Sequence, residues 1–197
     1  MPLGRRRLLV AAAWLPVASI ARRLSAQGLG EFTTAGVAPS CTGARTATPA
    51  TREEFYKSHA PERTSLRAAD VTGPPLRVTG RVIGLKCGVI KDATVEFWQA
   101  DAAGHYDMTG FRLRGSGHTD PTGQFGFDTV LPGPVGGHAR RLHVRVTPPG
   151  QPALSTVWFF PDDPTRTSDP AFRPGLDLKA VPGSDPRTVS LEVVFDL

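Results

Sequence analysis

From Leu76 onward the chain alternates between apolar and polar positions. Leu76, Val78, Gly80 and Val82 fall on one side, Arg77, Thr79, Arg81 and Ile83 on the other, which is the two-residue period of a half-buried strand. Thr94 to Gln99 is a second strand, rich in β-branched and aromatic residues. The turn Asp120-Pro121-Thr122-Gly123 leads into Gln124 to Val130. Farther on, Leu142, Val144 and Val146 face one way while Arg141, His143 and Arg145 face the other. Leu154 to Phe160 and Thr188 to Phe195 complete the set, and no stretch carries a convincing helical period. Short strands separated by Gly/Pro turns predict an all-β fold, a β-sandwich, over residues 76–197. Residues 27–75 have little periodicity and are expected to form an irregular N-terminal arm packed across the core.

Composition narrows this picture without changing it. A chain of 197 residues suits one domain and a leader, and 40% hydrophobic with 21% charged residues is the balance of a globular domain. The leader is placed at 1–26: Arg5-Arg6-Arg7 precede an apolar run from Leu8 to Ala21, broken by Pro16 and too short to span a membrane comfortably. Arg5-Arg6-Arg7-Leu8-Leu9 fits the twin-arginine export pattern; a general secretory signal or an uncleaved anchor stays open. Export to the periplasm or the outside, with no stable membrane span after processing, is the expectation. The net charge of +5 is matched by Arg5, Arg6, Arg7, Arg22 and Arg23 of the leader. The mature domain is then near neutral, and no nucleic-acid partner is expected. There is no Gly-rich phosphate loop, no Gly-x-Ser-x-Gly elbow and no zinc-like Cys/His spacing. Asp162-Asp163 and Asp169 lie in a Pro-rich loop and read as turn and solvation residues rather than calcium or catalytic carboxylates.

Two passages carry chemistry. The first runs Ala93-x-Val95-Glu96-Phe97-Trp98-Gln99-Ala100-Asp101-Ala102-Ala103-Gly104-His105-Tyr106. The second runs Arg114-Gly115, then Thr119-Asp120-x-x-Gly123-x-Phe125-x-Phe127-x-Thr129-Val130-x-Pro132-Gly133, and continues through Val135, His138, Arg141 and His143. Together with Thr48-Pro49 and Phe55-Tyr56 they resemble the intradiol ring-cleavage dioxygenases, over about Thr48 to Leu197. That resemblance implies a Greek-key β-sandwich, a catechol-type or phenolic-acid aromatic ligand and a non-haem Fe(III) cofactor if the site is active, none otherwise.

The family holds its iron with two tyrosines and two histidines, anionic oxygens suiting a hard ferric ion. Tyr106 and His143 stand at two of these places. Val135 replaces the second tyrosine and has no donor atom; Arg141 replaces the first histidine, and a guanidinium has no lone pair to give. His138 is a candidate substitute if the Gly136-Gly137 loop turns inward, whereas His105 and His118 read as loop histidines. Val157 stands where the family often has Gln. If Arg141 faces the pocket, it forms an anion site for an aromatic acid, with Trp98 or Trp158 stacking the ring; alternatively Arg141–Arg145 is a surface strand with solvated basic side chains. Cys41 and Cys87 form one disulfide, as cysteines at similar places in exported family members imply, or stay two buried thiols. Three readings remain: an oxygenase with an altered ligand set, a metal-free binding module for aromatic acids, and an exported structural or interaction domain.

Overall fold

The alternation beginning at Leu76 becomes β1, Pro75–Gly84, in which Leu76, Val78, Gly80 and Val82 are buried and Arg77, Thr79 and Arg81 half-buried. Ile83, on the outer side by parity, is buried as well, because the chain folds back over it: Val89 bridges Ile83, and Ile90 N donates to Val82 O at 3.0 Å. The structure is a computed structural model that describes residues 45–197. The leader, the first part of the arm and Cys41 lie outside the described residues; Cys87 is disulfide-bonded.

The remaining strands are β2 (Thr94–Trp98), β3 (Arg114–His118), β4 (Gln124–Val130), β5 (Arg141–Thr147), β6 (Leu154–Phe159), β7 (Lys179–Val181) and β8 (Arg187–Phe195). They form two four-stranded sheets, ordered β4-β1-β8-β7 and β3-β2-β5-β6. The first and last of these strands, β1 and β8, pair in parallel, Val78 opposite Val189, and the other strand pairs among the described residues are antiparallel. This is the all-β sandwich the patterning predicts. Val78, Val82, Leu191 and Val193 of one sheet share a core with Val95, Leu142, Val144 and Trp158 of the other. Among the described residues, the one helical segment is a 3-10 turn at Arg166–Ser168, and no helix is long and apolar enough to cross a membrane.

Patterning does not announce β3 or β7. β7 is three residues long and lies at the rim of its sheet. β3 has glycines where an apolar strand would have side chains, and the arm explains one of them. A Cβ on Gly115 would stand 2.5 Å from Arg63 O and 2.6 Å from Leu66 Cδ2, so the strand leaves room for the chain that crosses it. The described part of the arm has no strand of its own, yet it is pinned throughout. Thr48 N donates to Val194 O (2.9 Å), Thr51 N to Ser155 O (2.9 Å), Arg63 N to Ser116 O (2.9 Å) and Leu66 N to Asp128 O (2.8 Å). Leu66 enters the core at 1% exposure. These bonds satisfy backbone groups that an irregular segment would otherwise bury unpaired.

Candidate functional site

β5 lies inside its sheet, between β2 and β6. Its inward side chains Leu142, Val144 and Val146 fill the core. The opposite face carries Arg141 and His143, exposed by 2% and 0%, because the arm covers it. Arg141 and His143 do share a face, as their parity predicts; the surface strand with solvated basic residues does not describe them.

Tyr106 reaches this face from the loop after β2. Asp101 shapes that loop by accepting from Ala103 N (3.0 Å) and His105 N (2.9 Å). Gly104, at φ +86°, lets the loop lie on the Pro132–Val135 segment, since a Cβ there would meet Pro134 O at 2.1 Å. Tyr106 Oη and His143 Nε2 are 2.7 Å apart. Burial pushes the Tyr106 phenol up to about 12, against the pull of the nearby Arg141 charge. Burial, with the charges of Arg141 and Arg114 adding to it, holds His143 well below the usual imidazole range. At neutral pH a neutral phenol therefore shares a hydrogen bond with a neutral ring, and the buried Nδ1 has no hydrogen-bond partner among the described residues. Trp98 stacks on His143 (4.9 Å between centroids, 12°) and donates its indole N–H to Glu54 O at 2.9 Å.

Arg141 is a buried cation between two carboxylates. Nη2 donates to Glu54 Oε2 at 2.7 Å, and Nη1 lies 3.4 Å from Asp169 Oδ1. Asp169 has a fully buried side chain, accepts from Ala139 N at 3.1 Å and pairs with His138 Nδ1 at 3.2 Å. Desolvating an ion costs several kcal/mol, which close counter-ions can offset. The pairs join three segments distant in sequence: the arm, β5 and the loop after β6. Neither carboxylate belongs to the expected set. Asp169 was expected to serve turns and solvation; it does accept from Ala171 N (2.9 Å), but chiefly it is a sealed counter-ion. For Glu54 the one sequence signal is a charge directly before Phe55-Tyr56.

The other expected residues fall as follows. His138 closes a turn with Val135, to which its N–H donates at 2.7 Å, and its ring faces Asp169 instead of Tyr106. His105 is exposed beside Asp101, and His118 is exposed at the end of β3. Trp158 points into the core between the sheets, opposite Leu142, because parity on β6 gives the site face to Val157. It is therefore no stacking platform, and Trp98 is already covered by His143. The anion fork expected of Arg141 is likewise filled, by Glu54 and Asp169. Two further residues were not foreseen. Phe55 stacks face to face on Tyr106 (4.1 Å, 10°) with φ at +57°, a conformation that costs a bulky residue about 1–3 kcal/mol. Arg114, 1% exposed, holds that backbone through Nη1 to Phe55 O (2.7 Å). Beside the site, Thr51, Glu54, Val157, Pro170, Ala171 and Arg173 line a cleft of about 610 Å³.

This donor set does not fit a ferric centre. Of the family's four donors only Tyr106 and His143 are present, and their Oη and Nε2 atoms lie 2.7 Å apart, bonded to each other. Metal-held imidazoles usually have a partner on the second nitrogen; that of His143 has none. Glu54 and Asp169 are committed to Arg141, whose permanent charge repels a cation. Among the described residues no three His, Cys, Asp or Glu side chains converge to hold a metal.

The family model described as Dioxygenase matches residues 48–196. The chain belongs to the intradiol ring-cleavage dioxygenase family. It is 31% identical over 195 residues to a catechol 1,2-dioxygenase of Acinetobacter baylyi, covering 79% of this chain and 63% of that enzyme. The intradiol-family chain thus spans less than two thirds of that relative's length. The structure of the dioxygenase domain of a dioxygenase carbohydrate-binding protein fusion from Streptomyces sp. SirexAA-E superposes with a TM-score of 0.73 at 37% identity, over 77% of this chain and 99% of that one. A catechol 1,2-dioxygenase structure from Acinetobacter sp. ADP1 gives a TM-score of 0.66 at 24% identity, over 76% of this chain and 63% of that one, a likeness of fold.

Proposed function

We propose that this intradiol-family protein is exported and works without iron, binding a small phenolic molecule in the cleft over Val157 rather than cleaving its ring. The buried Arg141 guanidinium carries the reading, since it stands beside Tyr106 and His143 and ties up both nearby carboxylates. The cleft supports the binding part: its volume lies in the range of small-molecule sites, with an apolar wall from Val157, Pro170 and Ala171 and the charged side chains Glu54, Arg52 and Arg173 also lining it. Catechol and hydroxyquinol appear in the names of the relatives' activities, and a catechol-like ring fits such a wall. Export rests on the arginine-led leader alone.

Metal analysis with a visible spectrum, on full-length protein produced with iron supplied, tests the reading. The expected result is a folded, colourless protein with substoichiometric iron and saturable catechol binding. Near-stoichiometric iron with a broad visible phenolate-to-iron band overturns it. Arg141→His sharpens the assay: it removes the cation, adds an imidazole beside Tyr106 and His143 and frees Glu54, so iron uptake and colour are expected to rise over the wild type.

A further inference from the structure

Arg114 is a buried cation, 1% exposed, that bonds to no carboxylate. Among the described residues its side chain donates only to uncharged acceptors: Nε to Asp107 O at 3.0 Å, Nη1 to Phe55 O at 2.7 Å and Nη2 to Met108 Sδ at 3.4 Å. The carbonyls are good acceptors, whereas a thioether is a weak one. Through Nη1 this guanidinium grips the arm at Phe55, whose φ of +57° persists only while its surroundings hold it. The grip therefore includes one replaceable bond.

Met108 offers that bond from the surface, for the residue is 53% exposed. Its backbone is kept in place by Asp107, which accepts from Thr109 N (3.0 Å), Gly110 N (2.7 Å) and Arg112 N (2.8 Å). The unbranched side chain bends back from this loop to the guanidinium. The one other methionine of the chain is Met1, and no cysteine among the described residues is free. Among those residues, then, no second thioether and no thiol competes with Met108 for an oxidant.

We propose that Met108 is a reversible oxidation site that tightens the arm: hydrogen peroxide converts its thioether to the sulfoxide, whose oxygen becomes the acceptor for Arg114. The sulfur attacks one peroxide oxygen, so that an S–O bond forms and the O–O bond breaks. The departing hydroxide takes the proton left on the transferred oxygen and leaves as water. Sulfur gives up two electrons and the peroxide gains them; sulfoxide reductases reverse the change. An S–O bond is much shorter than the 3.4 Å between Nη2 and Sδ. Rotation within the exposed side chain sets the oxygen against Nη2 while the sulfur moves outward. A polar oxygen facing a guanidinium makes a charge-assisted bond, stronger than one to a neutral thioether. Phe55 O, on the same guanidinium, is held more firmly as a result.

The test treats full-length protein with hydrogen peroxide and follows it by peptide mass spectrometry and hydrogen exchange. Exchange is read over residues 51–56, where Thr51 N donates to Ser155 O and Tyr56 N to Glu53 O. The expected result is a Met108 peptide heavier by one oxygen atom and exchange slowed by about threefold, with the original rate restored by methionine sulfoxide reductases. Met108→Gln, whose amide oxygen is a permanent acceptor, should exchange slowly without peroxide, and Met108→Leu should not respond to it. Unchanged or faster exchange in the oxidised protein overturns the proposal. Slowing by peroxide in Met108→Leu also overturns it, by placing the effect elsewhere. So does a Met108 that stays unoxidised while free methionine in the same tube is consumed. Neither readout depends on iron or on a bound ligand, so the outcome stands apart from the phenol-binding reading.

Discussion

The two faces of β5 put the same strand to opposite uses. Leu142, Val144 and Val146 meet the facing sheet in a core of like residues, where shape decides and almost any apolar neighbour will do. Arg141 and His143 are as deeply buried, yet they meet named partners from elsewhere in the chain: Glu54, Asp169, Tyr106 and Trp98. The first face is stabilised by area and tolerates repacking. The second is a set of pairings in which each group depends on another being present.

That contrast can be broken from the arginine side first. Arg141→Ala is expected to lower unfolding stability in a urea titration by about 3–5 kcal/mol, the range for removing one partner of a buried pair. Part of the loss comes from Asp169, whose fully buried side chain would keep only His138 and the Ala139 and Ala171 N–H groups as partners. Adding Asp169→Asn to Arg141→Ala should therefore recover part of it; a double variant as unstable as the sum of its singles would show that the pairing is not the cause. Leu142→Ala should cost about 3 kcal/mol by leaving a cavity. No change of charge elsewhere should rescue it, so rescue by Asp169→Asn would dissolve the distinction between the faces.

Acid sharpens the comparison by a smaller amount, because only the outward side holds carboxylates. Burial alone would raise the Asp163 carboxyl, but bonds from Arg140 N, Thr165 N and Thr165 Oγ1 outweigh it and hold the group at about 2, below its ordinary 3.8. A depressed carboxyl stabilises the fold above its unfolded value, and that contribution fades as pH falls through the folded one. Stability measured from pH 5 down to 2 should accordingly lose about 2 kcal/mol through this group. The Asp163→Asn variant should show a correspondingly flatter profile; an unchanged profile would remove Asp163 from the account.

Sequence alone determined the sandwich. The alternation in β1, β4 and β5 is a local property, since neighbours on a strand face opposite sides whatever lies beyond them, and it also put Arg141 and His143 on one face. The replaced ligands Val135 and Arg141 were visible through the resemblance to the intradiol family, not through the alternation. Tertiary structure decided what covers that face and what Arg141 meets there. Glu54 lies 87 residues from Arg141 and Asp169 lies 28 away, so no spacing rule connects them. His138, three residues from Arg141, was the neighbour that sequence offered as a substitute ligand, and the turn at Gly136-Gly137 gave it to Asp169 instead. Trp158 went to the core by the parity of a strand whose register was set only by pairing with β5. Short-range periodicity fixes which way a side chain points. Partners are chosen by the three-dimensional packing of segments far apart in the chain, and in a buried polar site the partners determine the chemistry.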